Sequence, residues 1–228
     1  MPRPTPVSVV YSVDKATRLQ VAMMSKYDVA NSQGQFADGT RQEVLLNKLG
    51  IVRLEDINDV ELVLLEKLYH SVLGADLPQG RITLAMLRQW HHRWLGNVYD
   101  WAGHDRSVNI SKNGFMFAPA AQIVKLMGQF QSNCLDRYTP CTNMDETLLT
   151  EAIAITHIEL ILIHPFREGN GRLARLLSDV MAVQAGFEPL DYGSWENNRP
   201  QYIAAIHHGM LMDYRPMQDW VRQALTGD

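Results

Sequence analysis

The sequence predicts a mainly α protein, an antiparallel helical bundle carrying one β-hairpin. Three observations predict it. Apolar residues recur at helical spacing in several separate segments. The segment 145–163 is apolar on nearly all sides in its second half, as a central buried helix is. A single Asn113-Gly114 pair stands between short alternating runs, the strongest short hairpin signal. At 228 residues one domain is the default, long enough to bury a proper core.

In chain order, residues 1–10 contain Pro2, Pro4 and Pro6 without a long apolar core, which reads as a loose tail and not as a secretory signal. Residues 13–24 read as a first helix and 30–39, rich in Gly, Asn and Ser, as a loop; 1–39 are therefore set apart from a single domain at 40–228. Residues 43–49 resemble a short helix closed by Gly50, and 59–73 carry Val60, Val63, Leu64, Leu68 and Val72 at a helical period. Thr83 is placed to cap a helix running to Leu95. In the hairpin, Val108 and Ile110 alternate with Asn109 and Ser111, and Phe115-Met116-Phe117 returns. Segments 145–163, 173–185, 200–211 and 217–225 complete the helices.

A net charge of −4 gives no sign of affinity for nucleic acid or anionic membrane. No stretch reaches the roughly 18 apolar residues of a membrane span. The two cysteines, Cys134 and Cys141, lie in a polar, loop-like stretch and are read as reduced thiols of a cytosolic protein in preference to a disulfide. His157, His164 and Glu168 lack the spacing of a zinc site, so His157 is read as a core histidine or one supporting the site from behind.

The most informative segment is His164-Pro165-Phe166-Arg167-Glu168-Gly169-Asn170-Gly171-Arg172. Pro165 disfavours helix in the residue before it, so the incoming helix ends near His164 and presents its imidazole at a helix end. Phe166 is an apolar anchor within a polar loop. Glu168 offers one hard oxygen ligand, which suits Mg²⁺ when phosphates and waters fill its other positions. Gly169 and Gly171 accept positive φ, and Asn170 tolerates it. Their amides can form an anion nest at the start of the next helix. Arg172 and Arg175, one turn apart, can face one anion together. Each part alone has a bland reading, as turn, solvated charge or core residue; contiguous spacing between two helices reverses that balance.

These residues resemble the signature of the Fic-domain family, His-Pro-Phe-x-(Asp/Glu)-Gly-Asn-Gly-Arg, with every fixed position met. Similarity extends to Tyr99-Asp100-Trp101-Ala102-Gly103, to 106–119 and to Asp213-Tyr214-Arg215-Pro216, covering roughly residues 40 to 220. The resemblance implies transfer of AMP from ATP, with Mg²⁺, to a Ser, Thr or Tyr hydroxyl of a protein partner. His164 would be the general base and Glu168 the metal ligand. The Gly169-Asn170-Gly171 backbone would form the anion hole, and the Asn170 side chain would orient the α-phosphate. Arg172 and Arg175 would hold the outer phosphates. Phe166 and Arg167 are counted with this nucleotide-binding loop, and Tyr202, with Ile206 and Met210, falls in the adenine region. The hairpin would be a flap over the site, with Lys112, Asn113, Gly114, Phe115 and Met116 meeting the target by strand addition.

Two other classes compete with the adenylyltransferase. Kinase-like phosphate transfer is disfavoured because relatives of that kind carry Ala-Asn-Lys-Arg in place of Gly169-Asn170-Gly171-Arg172; transfer of another nucleotide and removal of AMP stay open. An inactive scaffold is disfavoured by the intact loop. The family's inhibitory Ser/Thr-x-x-x-Glu-Gly/Asn has only near misses, at 142–147 and 147–152 and at Glu196-Asn197, where Tyr192 stands in the hydroxyl position. The expectation is therefore restraint in trans by a small antitoxin protein. The expected location is the cytoplasm, with export into a host left open.

Overall fold

The structure is a computed structural model that describes residues 32–40, 43–112 and 114–227. The expected helix at 13–24 and the turn residue Asn113 lie outside the described residues. Two helices form the first layer: α1 (Leu54–Val72) packs on α2 (Leu84–Leu95). Thr83 caps α2 as expected, its hydroxyl accepting from the Met86 amide at 3.3 Å. The buried stripe of α1 is Ile57, Glu61, Leu65, Leu68 and Val72, so the apolar period read at Val60, Val63 and Leu64 is shifted around the helix. Glu61 reaches the inside because both its carboxylate oxygens find donors there.

The hairpin is short: β1 (Ser111–Lys112) pairs antiparallel with β2 (Phe115–Met116), in the register Ser111↔Met116 and Lys112↔Phe115. Helix α3 (Ile123–Phe130) then runs through a π-helical turn at Gln131–Leu135 into the single turn α4 (Asp136–Tyr138). This helical run corrects the expectation of a loop at Cys134, while Cys141 lies in the loop that follows it. Cys134 and Cys141 are both buried and free, and the Cys141 thiol bonds the Tyr138 carbonyl at 3.1 Å.

Helix α5 (Glu146–Ile163) is the centre of the bundle, buried on most sides and capped by the Asp145 carboxylate, which accepts from the Leu148 amide at 2.8 Å. It packs against α3, against α6 (Asn170–Gln184) and against α9 (Arg215–Thr226), whose Met217, Val221 and Ala224 form one apolar face. Between α6 and α9 lie α7 (Gly193–Asn197) and α8 (Arg199–His208), the latter prolonged by a 3₁₀ turn at Gly209–Leu211.

One expectation at the front of the domain is corrected. Residues 43–49 form no helix: Leu45 bridges Phe36, and the Asn47 side chain organises the following turn by accepting from the Leu49 and Ile51 amides. Such local side-chain bonds compete with helix formation. The boundary at 39/40 falls inside this bridged unit, in which the Ala37 amide also donates to the Val44 carbonyl at 2.8 Å. Residues 32–39 thus pack with the domain.

Candidate active site

Helix α5 ends at His164, which takes the left-handed conformation (φ 52°, ψ 59°) while its amide still bonds the Leu160 carbonyl. Pro165 forbids helical continuation, and this turn aims the chain back across the bundle. The imidazole Nδ1 lies 3.2 Å from the Ile161 carbonyl oxygen. A carbonyl only accepts, so Nδ1 carries the proton and Nε2 keeps its lone pair. Burial pushes the imidazole down to about 4, against opposing contributions from the Ile161 bond and the Glu168 charge. At neutral pH the ring is a neutral base with one free nitrogen.

The loop after it is built from inside. Phe166 is fully buried, and its ring stacks on His91 of α2 at 4.0 Å between centroids. His91 is fixed in turn. Its Nε2 donates to the Glu168 carbonyl (3.1 Å) and its Nδ1 accepts the Gly103 amide (2.8 Å), while burial holds its pKa down at about 4. Asn170 is buried, and its side chain closes a reciprocal pair with the Phe166 backbone: Oδ1 accepts the Phe166 amide and Nδ2 donates to the Phe166 carbonyl, both at 2.8 Å. The Asn170 side chain therefore staples the loop.

Gly169 opens α6 at φ 82°, and a Cβ there would stand 2.6 Å from the Trp94 ring. Within α6 the Leu173 amide bonds the Gly169 carbonyl (2.9 Å), so the Asn170, Gly171 and Arg172 amides precede the helix ladder and stand at its positive end. Glu168 is exposed. Its Oε1 accepts the Gly169 amide (2.9 Å) and lies 3.7 Å from Arg172. A single outward carboxylate beside a helix N-terminus fits a magnesium ion that brings phosphates and waters of its own; among the described residues no cluster of three metal-ligating side chains exists.

The cations are each held by a partner. Arg172 lies over the Trp94 ring (4.6 Å) and donates at 2.7 Å to Glu61, whose other oxygen accepts from Tyr99 at 2.7 Å. Arg175 lies over Tyr192 (4.9 Å) and pairs with Glu196 of α7. Tyr192 is fastened by Asp179, which also accepts from Tyr69 and from the Leu190 amide. Arg167 braces the loop, its Nε donating to the Gln33 carbonyl at 2.6 Å. Tyr202 is half-buried, its hydroxyl 2.8 Å from Nε2 of the fully buried His157 and its ring stacked on Trp195 at 5.0 Å. His157 is a core residue, as expected, with its pKa lowered to about 3 by burial.

Arg106 ties the flap to the loop. It is 2 % exposed and has carbonyl partners throughout: Nε donates to His164 and Nη1 to Val108, both at 2.6 Å, while Nη2 donates to Ala118 and Ile163. Its own amide donates to the Pro165 carbonyl at 2.7 Å. Burial lowers it to about 10, which leaves it charged at neutral pH. Lys112, Gly114 and Met116 of the flap are exposed. Phe115 is half-buried, with its ring stacked on His207 of α8 at 4.7 Å. Glu61, His91 and Arg106 are the supporting residues that sequence reasoning missed. A charge on the inner stripe of α1 was the signal available for the first; His91 and Arg106 leave no such mark.

Residues 81–182 match the model of the Fic/DOC family. VbhT, a protein adenylyltransferase of Bartonella schoenbuchensis, is 30% identical over 167 residues, 72% of this chain and 33% of that protein. The probable protein adenylyltransferase Fic of Escherichia coli is 29% identical over 136 residues, 59% of this chain and 66% of that one. Among solved structures, BepC of Bartonella tribocorum with bound AMPPNP superposes with a TM-score of 0.69 at 22% identity, covering 86% of this chain and 98% of that one. That likeness shows the helical fold with its small two-stranded sheet. The chain spans a third or less of the length of VbhT and of the two nematode adenylyltransferases it matches, from Caenorhabditis elegans and Caenorhabditis briggsae.

Proposed function

We propose that this chain is a protein adenylyltransferase that moves AMP from Mg-ATP to a hydroxyl side chain of another protein. The observation that carries the reading is the His164 imidazole: Nδ1 is committed to the Ile161 carbonyl and Nε2 is basic and free, one loop away from the open amides that start α6. Relatives named as adenylyltransferases and a family neighbour with bound AMPPNP support the same reading.

In the reaction, Nε2 of His164 takes the proton of a target Ser, Thr or Tyr hydroxyl as its oxygen bonds the α-phosphorus. The bond from that phosphorus to the bridging oxygen breaks, and pyrophosphate leaves with the electron pair. The Asn170, Gly171 and Arg172 amides bind the phosphate oxygens, with Arg172 and Arg175 on the outer phosphates. Glu168 would hold the magnesium, which would supply charge neutralisation on the phosphates. Base catalysis contributes on the order of 10²–10⁴-fold and positioning supplies much of the remainder. The target lies against the exposed flap edge of Lys112, Gly114 and Met116, which offers unpaired backbone for strand addition.

Incubation with lysate protein and ATP labelled at the α or γ position tests the reading. Protein label from the α position alone is the expected result. Label from γ alone means kinase-like transfer, and label from neither means a scaffold or an inhibited enzyme. His164→Ala should abolish labelling while Mg-ATP binding, measured by calorimetry, persists; a comparable loss of nucleotide affinity would assign the imidazole to binding.

Restraint in trans by a small antitoxin belongs to the same reading, and such a partner's carboxylate would have to displace Glu196 from Arg175. Expression of this chain alone in a bacterium tests it: full tolerance with no protein modified argues against an antitoxin. An ATP-dependent enzyme of this kind belongs in the cytoplasm, its own or a host's; no described helix is long and apolar enough to cross a membrane.

A further inference from the structure

The return arm of the flap carries two aromatic rings, and they form an unbroken chain of ring contacts with the site. Phe115 stacks on His207 (4.7 Å, 18°) and meets Phe117 edge-on (5.2 Å, 75°). Phe117 in turn stacks on the His164 imidazole, with ring centroids 3.7 Å apart and planes within 20°. Backbone bonds hold the stack in place. The Phe117 amide donates to Ile110 (3.2 Å), the Ala118 amide donates to Leu162 (3.4 Å), and the Arg106 guanidinium binds the carbonyls of both Ala118 and His164. The Phe117 backbone cannot move away from the imidazole unless those bonds break as well.

The bond from Nδ1 to the Ile161 carbonyl, at 3.2 Å, is at the long end of the range for N–H···O. The terminal torsion of histidine is broad and roughly two-fold, so one long bond leaves the ring free to swing and to exchange its two nitrogens. A flat ring against one imidazole face holds the plane against tilting, because the offset-stacked arrangement is lost when either plane tilts, while the Nδ1 bond to Ile161 decides which nitrogen faces inward.

We infer that Phe117 is a positioning residue for His164: its ring fixes the imidazole plane, which keeps the long Nδ1 bond to Ile161 aligned and so leaves Nε2 as the nitrogen offered to a target hydroxyl. The inference rests on the base role of His164 proposed above. Phe115 and His207 extend the stack to α8, so the flap carries a positioning function on its inner face and a target edge on its outer one. The target-contact reading of the flap did not include this residue.

Substitutions at Phe117 separate a flat ring from a merely apolar filler. Phe117→Leu and Phe117→Met keep apolar volume without a planar face, and Phe117→Tyr keeps the face. In full chain labelled with ¹⁵N-histidine, wild type and Phe117→Tyr should show a single His164 tautomer at neutral pH with the proton on Nδ1. Phe117→Leu and Phe117→Met should show a mixture. With α-labelled ATP and lysate protein, Leu and Met should lower kcat roughly 10- to 100-fold, as small misplacements of a catalytic group do, with KM for Mg-ATP unchanged. A single tautomer retained in both Leu and Met overturns the inference. So does an effect confined to KM, or a Tyr variant as impaired as Leu. The tautomer measurement needs no turnover: an unlabelled lysate with wild-type protein would sink the transferase reading, while the His164 spectrum would still judge Phe117.

Discussion

Gly169 is the residue on which the loop turns into a helix. It has positive φ, and a Cβ there would stand 2.6 Å from the Trp94 ring, so Gly169→Ala meets backbone strain and a clash together. A loss of about 3 kcal/mol is expected in urea unfolding, within the range of special backbone positions and overpacking. Arg106→Met should cost about as much, since it strands the carbonyls of His164, Val108, Ala118 and Ile163 in the interior, at roughly 1–3 kcal/mol for each group that finds no water. It should also weaken amide-exchange protection in the flap; unchanged protection would mean the guanidinium does not hold it. The nine-residue signature was legible because its parts are adjacent in the chain. Glu61, His91, Arg106 and Phe117 were not, because each acquires its meaning from a partner tens of residues away: Arg172, Phe166, and, for the last two, His164.

Among the elements, the long helices were legible from period and caps. Helix α2 starts one residue after Thr83 and α5 one after Asp145, each cap accepting an amide of the first turn. The short ones were not: α7 is five residues long and α4 three, too few for an apolar period to declare itself. Yet α7 carries Glu196 to Arg175 and brings Trp195 against Tyr202, so a small element decides how free one phosphate-binding cation is. Glu196→Gln should raise Mg-ATP affinity in calorimetry by up to about fivefold, the limit set by the ~0–1 kcal/mol worth of an ion pair with an exposed partner. No gain would mean that Glu196 does not compete with the nucleotide. Asp179 fixes the Tyr192 shelf beneath the same arginine, and burial raises its carboxyl to about 6.

For the molecule as a whole, buried titratable groups set the response to acid. His91, His157 and His164 have folded pKa values lowered to about 4, 3 and 4 from 6.5, so the unfolded chain binds more protons than the native one below pH 6.5. Their stabilising contribution is present above pH 6.5 and is lost as pH falls toward 4 and 3. Asp179 and Glu159, both raised by burial, act in the opposite sense, each losing stability as pH rises through its folded value. Three imidazoles outweigh two carboxyls, so the melting temperature should fall between pH 6.5 and 4; a flat or rising profile would refute neutral burial of these rings.

Gln33 accepts the Arg167 guanidinium on its carbonyl and the Ser107 amide on its side chain, and Glu61 steadies Arg172, although both stand ahead of the matched span 81–182. A fragment trimmed to that span would keep every signature residue and lose two struts beneath its arginines. Expression boundaries drawn from the recognisable part alone should therefore yield a preparation that reads correctly on paper and performs poorly at the bench.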